Sequence, residues 1–236
     1  MGDVIAKINT NDKNLNKIWL EYAKAYNSGL KKRSKKLMDD VIVYLKSADK
    51  NLLELFADYC SEAKYDKNPD LIIQYPLVKE VILPYLIEKS QQKSPIHMRW
   101  LYMFMRTDKV FYKLVVNEFG NPFQLLLESY DLNPHDRITI DTIMKGYIND
   151  LWYGSHHIPE GVIYEKDYCI TLLSDFKDFL ERLPIKLKEK YSSEYQYYYN
   201  LYTDWYTFKD LNIHMNFVDW CCQHNKKSDF VKSYYY

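Results

Sequence analysis

Glycine is scarce in this sequence, at 6 residues in 236, where an ordinary usage of ~7% would supply about 17. All-β folds use glycine heavily in tight turns, so the shortage points to helices. Net charge is absent as well: 32 Lys+Arg balance 32 Asp+Glu, and only 5 of the basic residues are arginine. Such a chain has no overall electrostatic footprint for a phosphate backbone, and dedicated nucleic-acid binding is not expected. Long apolar runs are missing too. The most apolar stretch, Leu71 to Ile87, contains Gln74, Lys79 and Glu80 together with Pro76 and Pro84, so it cannot supply the ~20 uninterrupted apolar residues of a membrane span. The opening residues Met1 to Ala6 have no basic-then-apolar leader, and Ala6 stands where a myristoylation signal requires Ser or Thr. The expected location is cytoplasmic, with no membrane contact.

Motifs that fix a chemistry are also lacking. The four cysteines, Cys60, Cys169, Cys221 and Cys222, are expected to be reduced thiols in a chain large enough to fold without staples. The nearest approach to a metal site is His214, Cys221, Cys222 and His224, which lacks paired zinc-ligand spacings. Cys221 is expected on the buried face of a short helix, with His224 capping its end, where the dipole favours a cation. There is no G-x-x-x-x-G-K-[ST] or G-x-G-x-x-G phosphate loop, no H-E-x-x-H and no G-x-S-x-G. Glu54 with Asp58, and Asp58 with Glu62, share helical spacing but lack the Glu-x-x-His pairs of a di-iron bundle. No metal, cofactor or catalytic residue set is expected.

What is present is a core. Leu, Ile, Val and Phe make up 65 of the 236 residues, well above the ~20% below which chains stay disordered. At about 150 residues per domain the length allows one or two domains. The chain is read as a single all-helical domain over 1–236, with a soft boundary near 64–75, where it turns polar.

Leu15, Ile18, Trp19, Tyr22, Ala23 and Tyr26 recur at the spacing of one helical face, with Asn11 or Asp12 to cap it and Gly29 to end it. Leu37, Val41, Tyr44 and Leu45 follow the basic run Lys31 to Lys36, and Asp49 heads a helix carrying Leu52, Phe56 and Cys60. Tyr75-Pro76 opens a segment that Pro84 should kink or split. Ser94-Pro95 and Asn121-Pro122 are start signals. After Asn133-Pro134 comes the stripe Ile140, Ile143, Met144, Tyr147, Ile148 and Leu151, with Gly154 as its expected stop. Cys169 to Leu183 forms another amphipathic run that Pro184 ends. A long helix with Tyr195, Tyr198, Tyr199, Tyr202, Trp205 and Tyr206 on one face precedes a last short one around Phe217, Val218 and Cys221. The expected fold is therefore all-α: about ten helices in stacked antiparallel pairs, as an irregular helical repeat or a bundle. Val4 to Ile8 is the one strand-like run.

The words Leu126 to Asp136, with Leu132-Asn133-Pro134-His135-Asp136 at their end, resemble the inter-repeat turn of tetratricopeptide-like repeats, a likeness that extends over about thirty residues to Tyr153. Together with His156-His157-Ile158-Pro159-Glu160-Gly161 and Tyr202-x-x-Trp205-Tyr206, the layout is also similar to uncharacterised all-helical bacterial proteins. The resemblance implies an architecture and no activity.

Two segments concentrate functional side chains. The loop after the central stripe brings Trp152, Tyr153, His156, His157 and Glu160 together, and loops on rigid scaffolds commonly carry function. The Tyr-rich helix offers Tyr198, Tyr202 and Trp205, residue types enriched at protein interfaces, while Tyr197 lies off its stripe and should be exposed. These eight residues are the expected binding surface of a non-enzymatic scaffold for a protein partner, in its most concrete form an immunity protein against a bacterial toxin. The alternative is a small enzyme using His156, His157 and Glu160 for acid/base chemistry.

Overall fold

A computed structural model describes residues 10–227; the strand-like run Val4 to Ile8 lies outside them. The described residues form twelve α-helical segments and two π-helical turns, with no strand. The all-α expectation therefore holds, with neighbouring helices packed as pairs. The chain divides into two compact units, Met1–Ile140 and Asp141–Tyr236.

In the first unit, α1 (Lys13–Asn27) packs on α2 (Lys31–Ser47). Asp12 caps α1 by accepting from the Leu15 amide at 2.7 Å, and the Tyr44 hydroxyl of α2 donates to the same carboxylate. Gly29, at φ 72°, makes the left-handed turn between the two helices. The buried line of α2 is Ser34, Met38, Val41, Ile42 and Leu45; the expected Leu37 and Tyr44 lie at its edge, because the basic run forms the first helical turns rather than preceding them. In α3 (Lys50–Glu62), capped by Asp49 as expected, Phe56 meets Trp19 of α1 edge-on at 5.3 Å.

A π-helical turn, Ala63–Lys67, extends α3 into the region of the expected soft boundary, and the division between the two compact units lies within α9 (Arg137–Ser155). From Tyr75 the chain runs through α4 (Tyr75–Leu77), a second π-turn (Val78–Ile82) and α5 (Leu83–Gln91). The helical run continues through Pro84 without a break. The turn before it widens, so the Leu83 amide reaches back five residues to the Val78 carbonyl, which accommodates a ring that would collide with the carbonyl of an ordinary turn.

α6 (Pro95–Met105) is the hub of this unit, packed against α5, α7 (Lys109–Phe119) and α8 (Pro122–Leu132). Its Arg99 is only 2% exposed and binds two carboxylates: Asp136 through Nε at 2.8 Å and Asp66 through Nη1 and Nη2 at 2.5 and 3.1 Å. Asp136 also accepts from the Ile138 amide and the Thr139 hydroxyl at the start of α9. One guanidinium thus fastens a π-turn and a helix start to the hub, a geometry suited to its planar fork.

In the second unit, α9 continues from Asp141, followed by α10 (Lys166–Glu181), α11 (Ile185–Leu211) and α12 (Phe217–Gln223). Tyr147 stacks on Phe176 of α10 at 5.4 Å. Trp205 of α11 meets Phe217 of α12 edge-on at 5.0 Å. Asp141 accepts from Tyr191 and Lys190 of α11; burial alone would raise its pKa, and these two partners hold it below the usual value. Cys221 is buried and the His224 Nδ1 lies 2.8 Å from the Trp220 carbonyl, the packing and capping roles expected from sequence. Tyr197 is exposed as expected. The buried face of α11 comprises Leu187, Tyr191, Tyr198, Leu201, Tyr202 and Trp205; Tyr199, expected on this face, is turned to solvent.

Candidate functional site: an aromatic surface at the end of α9

Helix α9 buries Met144, Tyr147 and Leu151, and the helical period therefore turns Trp152 and Tyr153 away from the core. They are 56% and 50% exposed. The helix does not stop at Gly154 but runs through Ser155, whose hydroxyl donates to the Leu151 carbonyl. The chain then turns tightly. The Ile158 amide bonds the Ser155 carbonyl, Glu160 and Gly161 bond that of His157, and the Ile163 amide returns to the Gly154 carbonyl at 2.9 Å. Ile158 is buried and pins the turn.

Gly154 is needed for this fold-back. A β-carbon there would collide with the Tyr164 ring, 2.9 Å from its Cε2, and with the Tyr202 hydroxyl, which donates to the Leu151 carbonyl at 2.7 Å. The glycine lets a loop tyrosine lie directly on the helix backbone. From there Tyr164 donates to Asp150 Oδ1 at 2.7 Å, and Tyr168 of α10 donates to Oδ2 at 3.1 Å. Burial, and then the Asp150 carboxylate, push both phenols above their ordinary pKa, so they remain donors at neutral pH.

The rings form a connected chain. Trp152 stacks on His156 at 5.1 Å, His156 meets Tyr153 at 5.3 Å, Tyr153 meets Tyr164 at 5.9 Å, and Tyr164 meets Tyr168 at 4.7 Å. Tyr168 is itself 49% exposed. Of the residues expected from sequence, Trp152, Tyr153 and His156 are thus brought together, and His157 adjoins them with its ring 4.2 Å from that of His156. Glu160 is exposed on the following turn. Tyr198, Tyr202 and Trp205 are not on this surface. All three are buried, with Tyr202 only 1% exposed, and burial raises the Tyr198 phenol to about 12. Tyr202 supports the site from beneath through Leu151. Asp150, Tyr164 and Tyr168 escaped sequence reasoning because what unites them is a carboxylate on the polar side of α9 reaching two separate elements.

The imidazoles are engaged in packing. His156 Nδ1 lies 2.5 Å from the Tyr153 carbonyl, closing the end of α9, and its ring lies against Trp152. Among the described residues no group of three or more His, Cys, Asp or Glu side chains is placed to hold a metal ion.

The first unit holds one further polar chain. The Ser94 Oγ lies 2.6 Å from His97 Nδ1, and His97 Nε2 lies 2.9 Å from Asp58 Oδ1, which also accepts from Tyr85 at 2.7 Å. The order is that of a nucleophile, a base and an orienting acid. Here, however, the Tyr85 hydroxyl also sits 3.0 Å from Nε2, Tyr85 and Trp100 meet the imidazole edge-on, and the side chain is 12% exposed. The cluster braces α3, α5 and α6. It also takes Ser94 away from the backbone cap expected of it.

No protein-family model, curated protein or solved structure matches the chain. Among the described residues no helix is long and apolar enough to cross a membrane.

Proposed function

We propose that this chain is a non-enzymatic protein-binding scaffold whose contact surface is the ring cluster at the end of α9. The supporting observation is the connected run of Trp152, Tyr153 and Tyr168, each about half exposed and each tied to a fixed neighbour. Half of three such side chains amounts to roughly 350 Å² of aromatic surface, the size of the largest patch on an ordinary monomer, which is often functional. Trp and Tyr dominate interface hot spots because they bring large contact area with few torsions to freeze. The Asp150 bonds and the ring contacts lower that ordering cost further by holding the rings in place beforehand.

The partner is a folded protein presenting an apolar projection to the rings, with hydrogen-bond donors for Asp150 and Glu160 at the edge. The narrower form of the reading is an immunity protein that covers the working face of a toxin, and the identity of the partner decides it. The test is affinity capture from the native host with the tagged wild type beside Trp152→Ala/Tyr153→Ala/Tyr168→Ala, with circular dichroism to confirm that the variant is folded. One stoichiometric protein retained by the wild type and lost from the variant supports the proposal. Equal retention, or none in either lane, overturns it.

A further inference from the structure

The bonds that brace α3, α5 and α6 also prepare one hydroxyl for attack. A carboxylate at Asp58 can only accept, so the imidazole hydrogen of His97 lies on Nε2, 2.9 Å from Asp58 Oδ1. Nδ1 is then left as an acceptor for the Ser94 hydroxyl at 2.6 Å. Tyr85 agrees with that placement. Its phenol is 4% exposed and gives its own hydrogen to Asp58 at 2.7 Å, with its oxygen 3.0 Å from Nε2. Burial, and then the Asp58 carboxylate, push its pKa up, so it stays a donor. The imidazole is held between the rings of Tyr85 and Trp100, at 5.4 and 5.3 Å. Its two nitrogens thus face a hydroxyl on one side and a carboxylate on the other, as activation of a nucleophile requires.

Two features of Ser94 itself suit it to react. It is partly exposed, and the neighbouring Ile96 lies at the surface, so a small molecule can reach the hydroxyl while the carboxylate and phenol behind His97 keep their places. Its side chain also makes no cap bond. A serine at the start of a helix ordinarily takes the hydrogens of the first-turn amides, and here it faces a base instead. Pro95 has no amide hydrogen, and the Ile96 and His97 amides have no acceptor among the described residues. They are left free on the same turn as the hydroxyl, where N–H donors stabilise charge developing on a carbonyl oxygen.

We infer that Ser94 is a nucleophilic modification site that takes an acyl group from a small activated ester, with His97 as its base and Asp58 and Tyr85 as positioning residues. The Ser94 Oγ forms a bond to the ester carbonyl carbon, and its hydrogen passes to His97 Nδ1. The bond from that carbon to the leaving oxygen then breaks, and the oxygen keeps the electron pair. The proton on Nδ1 goes to that oxygen or, where the leaving group is an acidic phenol, to water. The product is one acyl-serine per chain. This is a single transfer to the protein itself, not turnover, and it stands independently of the protein-binding reading.

The probe is p-nitrophenyl acetate, mixed with the full chain. Absorbance follows release of nitrophenolate, and an acid quench with peptide mass spectrometry locates the acetyl group. The expected result is a burst of about one equivalent with the acetyl group on Ser94. Ser94→Ala and His97→Gln should each slow the burst about 100-fold. Asp58→Asn should slow it about tenfold or more, because an amide can donate to Nε2 and so leave the ring hydrogen on Nδ1, where it blocks the transfer from Ser94. Circular dichroism checks that each variant is folded, and the position of the acetyl group in the wild type decides the matter without any variant. Absence of a burst overturns the inference, as do acetyl groups on lysines with Ser94 unmodified. A folded His97→Gln protein acetylated on Ser94 as fast as the wild type overturns it too.

Discussion

Replacing Gly154 with alanine sets two physical effects against each other. In a helix interior the change ordinarily stabilises by about 1 kcal/mol, since alanine has less backbone freedom to lose. Gly154 is helical, so on backbone grounds alone that gain applies. In the structure the added methyl enters space held by the Tyr164 ring and the Tyr202 hydroxyl. Both are constrained, Tyr164 by Asp150 and Tyr202 by the Leu151 carbonyl deep in the unit. Forcing a methylene-sized group into a packed site costs about 1–3 kcal/mol, and breaking the buried Tyr202 bond adds about 1–3 kcal/mol. Set against the helical gain, Gly154→Ala should destabilise by about 1–5 kcal/mol. Urea denaturation followed by circular dichroism measures this, and Tyr202→Phe on the same background should recover part of the loss by removing one of the colliding atoms. A Gly154→Ala protein as stable as the wild type, or more so, refutes the close approach on which the aromatic surface is built.

Three other outcomes follow from the same geometry. Arg99→Ala leaves Asp66 and Asp136 without their shared cation and should cost about 3–5 kcal/mol in the same denaturation assay, with Arg99→Lys recovering only part, since an ammonium cannot supply the fork; a loss below about 1 kcal/mol contradicts the clamp. Burial raises Tyr147 and Tyr198 from 10.0 to about 12, and acids with raised pKa values stabilise the fold fully below their unfolded pKa and lose that contribution as pH rises through the folded value; absorbance at 295 nm should therefore show a class of tyrosines ionising only together with alkaline unfolding above about pH 10, and independent titration of all tyrosines at lower pH would count against the buried set. Asp150→Asn keeps an acceptor but removes the charge that orders Tyr164 and Tyr168, so affinity for the captured partner should fall about tenfold with stability nearly unchanged; unaltered affinity would show that the two phenols need no fixing.

Much of the helical framework was legible because local chemistry determines it. Asp12, Asp49 and Asn121 cap where a short polar side chain precedes an apolar period, Gly29 takes positive φ at a helix end, and His224 closes α12. What failed depended on partners far away in sequence. Gly154 reads as a stop until Tyr164 is known to cover it, and Ser94 reads as a cap until His97 is known to take its hydroxyl. Arg99, in an otherwise apolar helix, gives no sign of the two carboxylates 33 and 37 residues away that make its burial tolerable. The aromatic surface was half legible. Trp152, Tyr153 and the histidines are contiguous in sequence and were found, whereas Tyr164, Tyr168 and Asp150 join them only through folding. The tyrosines of α11 misled because an amphipathic ring serves a core as well as an interface.

Site-specific photo-crosslinking tests the central claim most directly. A benzophenone amino acid is placed in turn at Trp152, Tyr153 and Tyr168, and at Val43 and Ile185, exposed residues that are not members of the ring cluster; each protein is then irradiated in native-host extract. The account predicts one and the same protein adduct from the three ring positions and none from the two controls. Adducts spread equally over all five positions, or from the controls alone, would contradict it.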